Sequence, residues 1–506
     1  MYYIIAILLP FLVLNLPLLL MFFNNPGECF TSDALLLSAS LLIFTVISFI
    51  GTDLLFKKPL RTSFFLSICF ISGGIVTNSF SFVVINFIWL CSFIAAVIFT
   101  VADIKYRFLR IQHLTVFLFP LVAISVYYLV GIYLAKLEIN DDITKYTAFQ
   151  EKFYQDNKRT STTNITKKPN IYYIVLDEFV SEIAFKNYYH INGISLFDFL
   201  RNKGFTVINN SYSNYPWTIP SLSSSLNMVY HEQLSDKKAF PALAHHMIKN
   251  NLISKLLLLE DYNIFMQPSV YWLGKQEKDI FKDFFIRSRS YGLTLSYLQL
   301  TPLAYLARNY QRLNHREYTI NQLAFLRNSI NLKEPFFIYS HILCPHRPIV
   351  FRKDGRALSA VEAKMAEKDK NHEWYLEQAY FIANAIEETI NSILENSKEP
   401  PIIVLQSDHG RFPIGYSGKG KSFIPLEIIS WRFSNLNALY LPDKNHCQLP
   451  SHFSPVNNFR LIFNLYFSYN FPMLEDRCFY DSYDFSKYYL PKDLKKHQSL
   501  LIPQSD

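Results

Sequence analysis

The chain has 506 residues, half of them hydrophobic, a formal net charge of +8 and a mean hydropathy of +0.10. That length accommodates a membrane region plus one large globular domain. The basic residues are scattered and no nucleic-acid-binding motif accompanies them, so nucleic acid is not an expected partner.

Before about residue 135 the sequence is nearly all apolar; after it the pattern is that of a water-exposed protein. About five segments approach the roughly 20 apolar residues that a bilayer requires. They are Tyr2–Phe23, Ala34–Gly51, Ser63–Ser79, Ser81–Ala102 and Ile111–Ala135. The first has no basic leader and no small-residue cleavage site, which reads as an anchor rather than a removed signal peptide. Lys57, Lys58 and Arg61 fall between the second and third segments, and Lys105, Arg107 and Arg110 between the fourth and fifth. Basic loops stay in the cytoplasm. The count then places the N-terminus inside and everything after Ala135 outside, on the external or periplasmic face of a bacterial inner membrane. Residues 136–169 are polar with little periodicity and are expected to form a linker, partly helical at most. Residues 170–506 form the expected catalytic domain.

In that domain β-rich apolar runs alternate with helical patterns. The expected strands are Ile171–Leu176, Phe205–Ile208, Phe336–Ser340, Ile402–Gln406 and Ala438–Leu441. The expected helices are Ser195–Asn202, Pro220–Asn227, Glu373–Asn396 and Val456–Phe467. In the third, Tyr375, Ala379, Ile382, Ile386, Ile390 and Ile393 recur at helical spacing, so one face packs on a sheet. Strands separated by helices imply an α/β domain, a mostly parallel sheet sandwiched by helices. The aromatic and apolar stretch from Asp261 to Arg327 has no clear period. It is read as a helical insertion with its own packing, in preference to a lipid-facing lid. Of the six cysteines, Cys69 and Cys91 lie in apolar spans. Whether Cys447 and Cys478 pair is left open by sequence.

Ligands of open α/β sheets gather at the carboxyl ends of strands. Asp177 closes the run IYYIVL, and Asp408 and His409 close IIVLQS ahead of Gly410. An oxygen and a nitrogen donor side by side suit a divalent ion such as Mn, Zn or Mg. Between these words lies NYPWTIPS, where Thr218 precedes Pro220 at the start of a helix. A hydroxyl there feels the positive end of the helix dipole, yet it is a weak nucleophile without help in losing its proton. Thr218 is therefore the candidate nucleophile. It is also a candidate N-cap, and Ser221, Ser223, Ser224 and Ser225 are alternative hydroxyls inside the helix. His341 and His346, after FFIYS, are candidates to hold phosphoryl oxygens or to protonate a leaving alkoxide.

These words resemble those of the alkaline phosphatase superfamily, in its sulfatase-like branch. They look most like membrane-anchored phosphoethanolamine and lipoteichoic acid synthase-type transferases. The resemblance rests on NIYYIVLDEF, GFTVINNSYSNYPWTIPSLSSSLNMVY, PFFIYSHILCPHRPIVF, IIVLQSDHG and SPVNNFRLIFNLYF, and covers nearly all of Asn170 to Tyr480. It implies an alkaline phosphatase-like fold. It also implies that Asp177, Thr218, Asp408 and His409 surround one divalent metal ion (Mn, Zn, Mg or Ca). Transferases of this branch usually carry Glu where Asp177 stands, and Glu178 comes directly after it, so either carboxylate is a candidate ligand. The C/S-x-P-x-R word of sulfatases proper is absent, which argues against sulfate ester hydrolysis. No clean D-x-x-x-H match exists, so one tightly held ion is expected; a second at His341, His346 or His452 stays open.

The implied reaction transfers a phospho-headgroup, phosphoethanolamine or phosphoglycerol, from a membrane phospholipid to an envelope glycan or lipid acceptor through phospho-threonine. A sulfatase-like or phosphodiesterase hydrolase shares every residue of this scheme. A non-catalytic envelope binding protein would have lost a ligand or the nucleophile, and all four are present.

Overall fold

The computed structural model describes residues 2–24, 31–70, 82–157, 168–191, 194–232, 240–267, 292–368, 372–412, 426–443, 449, 453–480 and 488–498. The chain divides into two compact units, residues 1–141 with 290–311 and residues 142–289 with 312–506.

The first unit contains helices α1 (Tyr2–Asn24), α2 (Thr31–Phe56), α3 (Pro59–Phe70) and α4 (Phe82–Tyr106), and most of α5 (Ile111–Asp156). Among the described residues, four helices are long and apolar enough to cross a membrane, namely α1, α2, α4 and α5. The expected third span, Ser63–Ser79, is described only as far as Phe70, where α3 ends; the rest lies outside the described residues. Four spans, not five, are therefore described. Helices suit this setting because every interior backbone bond is made within the segment. Their outward residues are apolar: Leu54 is 72% exposed and Phe119 79%.

Residues 136–156 are helical, because α5 continues through them without a break. The apolar residues Ile139, Ile143, Tyr146 and Phe153 recur three, four or seven apart among the polar ones, which gives the segment one buried face. From Asp142 onward the helix belongs to the second unit. Tyr146 is fully buried there, its hydroxyl bonded to Asn227, and Phe153 stacks on Phe471 at 5.4 Å.

The second unit is built on a six-stranded sheet of β1 (Ile171–Leu176), β2 (Thr206–Val207), β3 (Asn263–Gln267), β4 (Phe336–Ile342), β5 (Ile402–Gln406) and β6 (Asn437–Tyr440), in the order β2-β6-β5-β1-β4-β3. Strands β3, β4, β1 and β5 pair in parallel, while β6 runs antiparallel to both of its neighbours. The helices that matter to the site are α6 (Ser195–Asn202), α7 (Thr218–Asn227), α8 (Gly292–Leu298), α9 (Ala304–Arg327), α10 (Glu373–Asn396), α11 (Leu426–Phe433) and α12 (Asn458–Phe467), of which α8 and the first turns of α9 belong to the first unit.

β1 is central and wholly buried, which is why it reads as an uninterrupted apolar run rather than an alternating one. Its residues still divide by face. Tyr172, Ile174 and Leu176 join Ile382, Ile386 and Ile390 of α10 on one side. Tyr173 and Val175 join Leu222 and Leu226 of α7 and Phe459 and Phe463 of α12 on the other. The sandwich expected from sequence is thus the observed architecture.

The insertion is more divided than expected. Asn263–Gln267 adds β3 to the sheet edge, α8 and the start of α9 sit in the membrane unit, and Tyr318, Leu323 and Leu326 of α9 are buried in the catalytic domain. Residues 268–291 lie outside the described residues; the described apolar residues of the insertion are shared between the two units.

Candidate active site

Parallel pairing of β1 with β5 brings their carboxyl ends side by side. Asp177 and Asp408 leave those ends and are 1% and 0% exposed. The chain turns sharply after Asp177: Glu178 has a φ of 61°, and its N–H donates to Asp408 Oδ1 at 3.0 Å. The N–H of His409 donates to the same oxygen at 2.9 Å. Two backbone donors thus fix one oxygen of Asp408 and turn Oδ2 into the site. Gly410 comes next because nothing larger fits: a Cβ there would lie 2.2 Å from the carbonyl oxygen of Trp431 and 2.4 Å from that of Ser434.

Among the described residues, one cluster of acidic and imidazole groups has metal-ligand spacing: Asp177, Asp408 and His409, with donor atoms within 4.8 Å of one another. Three observations say that the cluster fits a cation. Asp177 Oδ1 is buried without a hydrogen-bond donor. His409 Nδ1 donates to the carbonyl of Gly410 at 2.9 Å, which leaves the lone pair on Nε2. That lone pair lies 3.1 Å from Asp408 Oδ2, a contact between two acceptors that a cation between them would reconcile. Burial and the charge of Asp177 raise the pKa of Asp408. Burial would also raise Asp177, but the positive ends of His346 and His341 outweigh it and hold Asp177 low.

Thr218 opens α7, yet it does not cap the helix. The N-cap is Trp217, in extended conformation and with no side-chain bond. The Thr218 hydroxyl is instead 3.1 Å from His409 Nε2. The neighbouring serines are consumed. Ser221 donates to the carbonyl of Asp408 at 2.6 Å, Ser224 to that of Val229 at 2.6 Å and Ser225 to that of Ser221 at 3.0 Å, while Ser223 pairs with buried His231 at 3.1 Å. Thr218 is half-buried where these serines are fully buried. Of the five hydroxyls it alone contacts a side chain of the acid–imidazole cluster and is not fully buried.

The two histidines of HILCPH have different places. His341 lies on β4 with no exposure, and its Nε2 is 3.2 Å from Asp177 Oδ2. His346 is half-buried and its backbone N–H donates to the carbonyl of Asp177 at 3.2 Å. Its Nδ1 meets the carbonyl of Arg347 at 2.6 Å, which leaves Nε2 as its outward atom. Burial lowers the His346 pKa, but the carboxylates of Asp177 and Glu178 prevail and raise it.

Glu178 does not join the metal cluster. Its Oε1 accepts from Arg432 at 2.5 Å and its Oε2 from Arg411 at 2.8 Å. Burial opposes its ionisation, but His346 and these two guanidinium groups hold its carboxyl far below the usual range. Asp177 thus lies in the cluster with metal-ligand spacing, while Glu178 pairs with two arginines instead. Sequence reasoning misses both arginines. Arg411 extends the word to DHGR and is the more legible of the two; it also donates to His372 Nδ1 at 3.2 Å and stacks on Tyr375 with 4.2 Å to the ring centre. Arg432 stands on α11 with no local signal. It donates to the carbonyls of Pro216 at 2.6 Å and Gly410 at 3.0 Å and reaches His409 Nε2 at 3.0 Å. His452 and Cys447 lie outside the described residues; Cys478 is buried.

The sulfatase family profile matches residues 169–427, which is 259 of 506 residues (427 − 169 + 1), just over half of the chain. The chain belongs to the sulfatase family. This sulfatase-family protein is thereby an enzyme of the sulfatase-like branch of the alkaline phosphatase superfamily. Comparison with curated proteins finds no match. Similar solved structures include the C-terminal periplasmic domain of EcEptC from Escherichia coli in complex with Zn, at 12% identity, covering 69% of this chain and 97% of that one, with a TM-score of 0.42. They also include the C-terminal periplasmic domain of phosphoethanolamine transferase EptC from Campylobacter jejuni (12% identity, 61% and 92% covered, TM-score 0.39). A third is BT1596, a 2-O GAG sulfatase (12% identity, 60% and 72% covered, TM-score 0.36).

Proposed function

We propose that this sulfatase-family enzyme is a membrane-anchored, metal-dependent phospho-group transferase working on the external face of a bacterial inner membrane. Its donor is a membrane phospholipid, its acceptor an envelope glycan or lipid, and its group phosphoethanolamine or phosphoglycerol. The observation that carries the reading is the Thr218 hydroxyl, half-buried at the start of α7 and 3.1 Å from His409 Nε2.

Asp177, Asp408, His409 and Thr218 would hold a divalent ion. Two carboxylates, an imidazole and a hydroxyl are a mixed oxygen–nitrogen set that suits Zn or Mn before Mg or Ca. Bound there, the ion supplies positive charge for the hydroxyl and for the phosphoryl oxygens. In the first step the Thr218 oxygen bonds to phosphorus and the bond from phosphorus to the diacylglycerol oxygen breaks. Thr218 releases its proton to solvent while the diacylglycerol oxygen takes one from His346 Nε2, which regains it when the acceptor hydroxyl gives up its own. In the second step an acceptor hydroxyl bonds to the same phosphorus, the bond to Thr218 breaks, and Thr218 recovers a proton. Arg411 and Arg432 add positive charge beside the reacting group.

The test is intact-mass spectrometry of the full chain incubated with manganese and either phosphatidylethanolamine or phosphatidylglycerol, with Thr218→Ala alongside. A headgroup-sized adduct on the wild type alone is the expected result. An unmodified wild type that nonetheless turns over the donor would overturn the covalent scheme. Activity that persists in Thr218→Ala would remove Thr218 as nucleophile.

A further inference from the structure

The insertion runs between the end of β3 at Gln267 and the start of β4 at Phe336. Between those points, residues 290–311 belong to the membrane unit. Their contacts there are specific. The hydroxyl of Tyr297 on α8 donates to the carbonyl of Leu14 on α1 at 2.6 Å, and Tyr297 is 3% exposed among Leu14, Leu18, Leu37 and Leu41. Leu14 lies ten residues before Asn24, the end of α1 (24 − 14), or ~15 Å along its axis, about half the thickness of a hydrocarbon core. Farther along, Leu300 and Ala304 pack with Met21 and Trp89. Met21 is only three residues from that end (24 − 21). The chain therefore sits deep at Tyr297 and near the surface at Ala304.

The polar groups of this segment are arranged for a place without water. Trp89 Nε1 donates to the carbonyl of Leu300 at 3.1 Å. The carbonyl of Leu298 accepts from both the N–H and the hydroxyl of Thr301, at 3.0 and 2.7 Å. The Thr301 hydroxyl also accepts from the N–H of Leu303 at 3.1 Å. Irregular backbone at membrane depth is tolerated only when protein satisfies it in this way.

Beyond the turn the usual polarity of a surface is inverted. Leu303, just before α9, and Leu306 and Tyr310 on it fall three and four residues apart and are 49%, 64% and 47% exposed, while Ala304 and Ala307 are buried. From Gly292 to Arg316 the sequence holds three arginines and no acid. An apolar stripe on a basic helix that emerges from a membrane bundle matches the boundary between acyl chains and anionic headgroups.

We infer that Gly292–Tyr310 is a re-entrant membrane element, with Tyr297 seated inside the bundle and Leu303, Leu306 and Tyr310 facing lipid. The occupant of the stripe is the bilayer itself, continuous with the lipid-facing surface of α2, α4 and α5. This inference is independent of the reaction proposed above.

The test is photo-crosslinking of the full chain in bilayer nanodiscs of phosphatidylethanolamine and phosphatidylglycerol, with benzoyl-phenylalanine in place of Leu306 or Leu303. The same group in place of Val126, 52% exposed on α5, is the lipid reference, and in place of Val361, 65% exposed in the catalytic domain, the water reference. Phospholipid adducts at 306 and 303 in yields close to that at 126 are expected. Yields as low as at 361 would overturn the inference, and so would a crosslink to a second copy of the chain. Tyr297→Phe supplies a second readout: removal of the Leu14 contact should raise protease cleavage between residues 292 and 310 in the nanodisc, and unchanged cleavage counts against a seated element.

Discussion

The membrane helices and the catalytic sheet spend the same residue types in opposite ways. In α5, Leu129 is 54% exposed and Phe119 79%, whereas no residue of β1 exceeds 2%. Polarity is inverted as well. The catalytic domain buries Asp177, Asp408, His409 and His341 completely or nearly so, at the ends of its most apolar strands. A leucine surface is stable where the solvent is lipid, and a buried carboxylate is stable where backbone donors and a cation take the place of water. The comparison teaches that burial identifies the core only once the solvent of each region is known.

The largest expected effect breaks the buried polar side of this contrast. Asp408→Ala should reduce turnover by about a thousandfold or more. Elemental analysis of the purified chain should show its divalent metal gone, whereas Thr218→Ala should keep most of it. An Asp408→Ala protein with full metal content would remove the assigned ligand set.

Gly410→Ala comes next. Its new methyl meets two backbone carbonyls, so the DHG turn must shift, at a cost of about 3 kcal/mol. Thermal unfolding would register the loss, and activity should fall with it. A variant as stable as the parent would show that the turn has more room than its geometry allows.

A paired truncation sharpens the comparison directly. Ile403→Ala in β5, wholly buried, should cost about 2–5 kcal/mol. Leu129→Ala, on the lipid-facing side of α5, should stay within about 0.5 kcal/mol. Denaturation of both variants in the same detergent would check the difference, and equal losses would contradict the assignment of solvents.

The smallest effect concerns pH. Burial pushes the His231 pKa from 6.5 down to about 3. Above pH 6.5 the ring is neutral in both states. Between 6.5 and 3 the unfolded chain takes up a proton that the folded chain refuses, so stability falls as pH falls through that window. His231→Gln should flatten this part of the profile of melting temperature against pH, and an unchanged slope would assign the acid sensitivity to other groups.

Much of the scaffold is legible locally. IYYIVL and IIVLQ form β1 and β5 at the expected residues, and the helices at 195–202 and 373–396 have the expected ends. Long or strongly apolar elements announce themselves because their own pattern matches their burial. β3 escapes a reading of the sequence, because NIFMQ is short and its membership in the sheet comes from pairing with β4 rather than from alternation of its own. The helix through 136–156 reads as linker because its apolar residues are sparse, and only their partners Asn227 and Phe471 show that they face protein.

The site divides in the same way. Residue order places Asp177, Thr218, Asp408 and His409 beside strand ends and at a helix start, because carboxylates and hydroxyls at such positions need a reason to be there. Three things wait for the tertiary structure: the choice of Asp177 over Glu178, the role of Arg432, and the entry of residues 290–311 into the membrane unit. Adjacent carboxylates carry the same chemistry in a sequence, and only the left-handed turn at Glu178 sends one toward His409 and the other toward two arginines. Arg432 comes 23 residues after His409 (432 − 409) and meets it because α11 folds back over the DHG turn. Sequence alone determined which segments are apolar and which side chains carry chemistry, since both are properties of single residues and their near neighbours. Which solvent each segment meets and which partner each charge finds depend on distances between residues far apart in the chain, and only folding sets those.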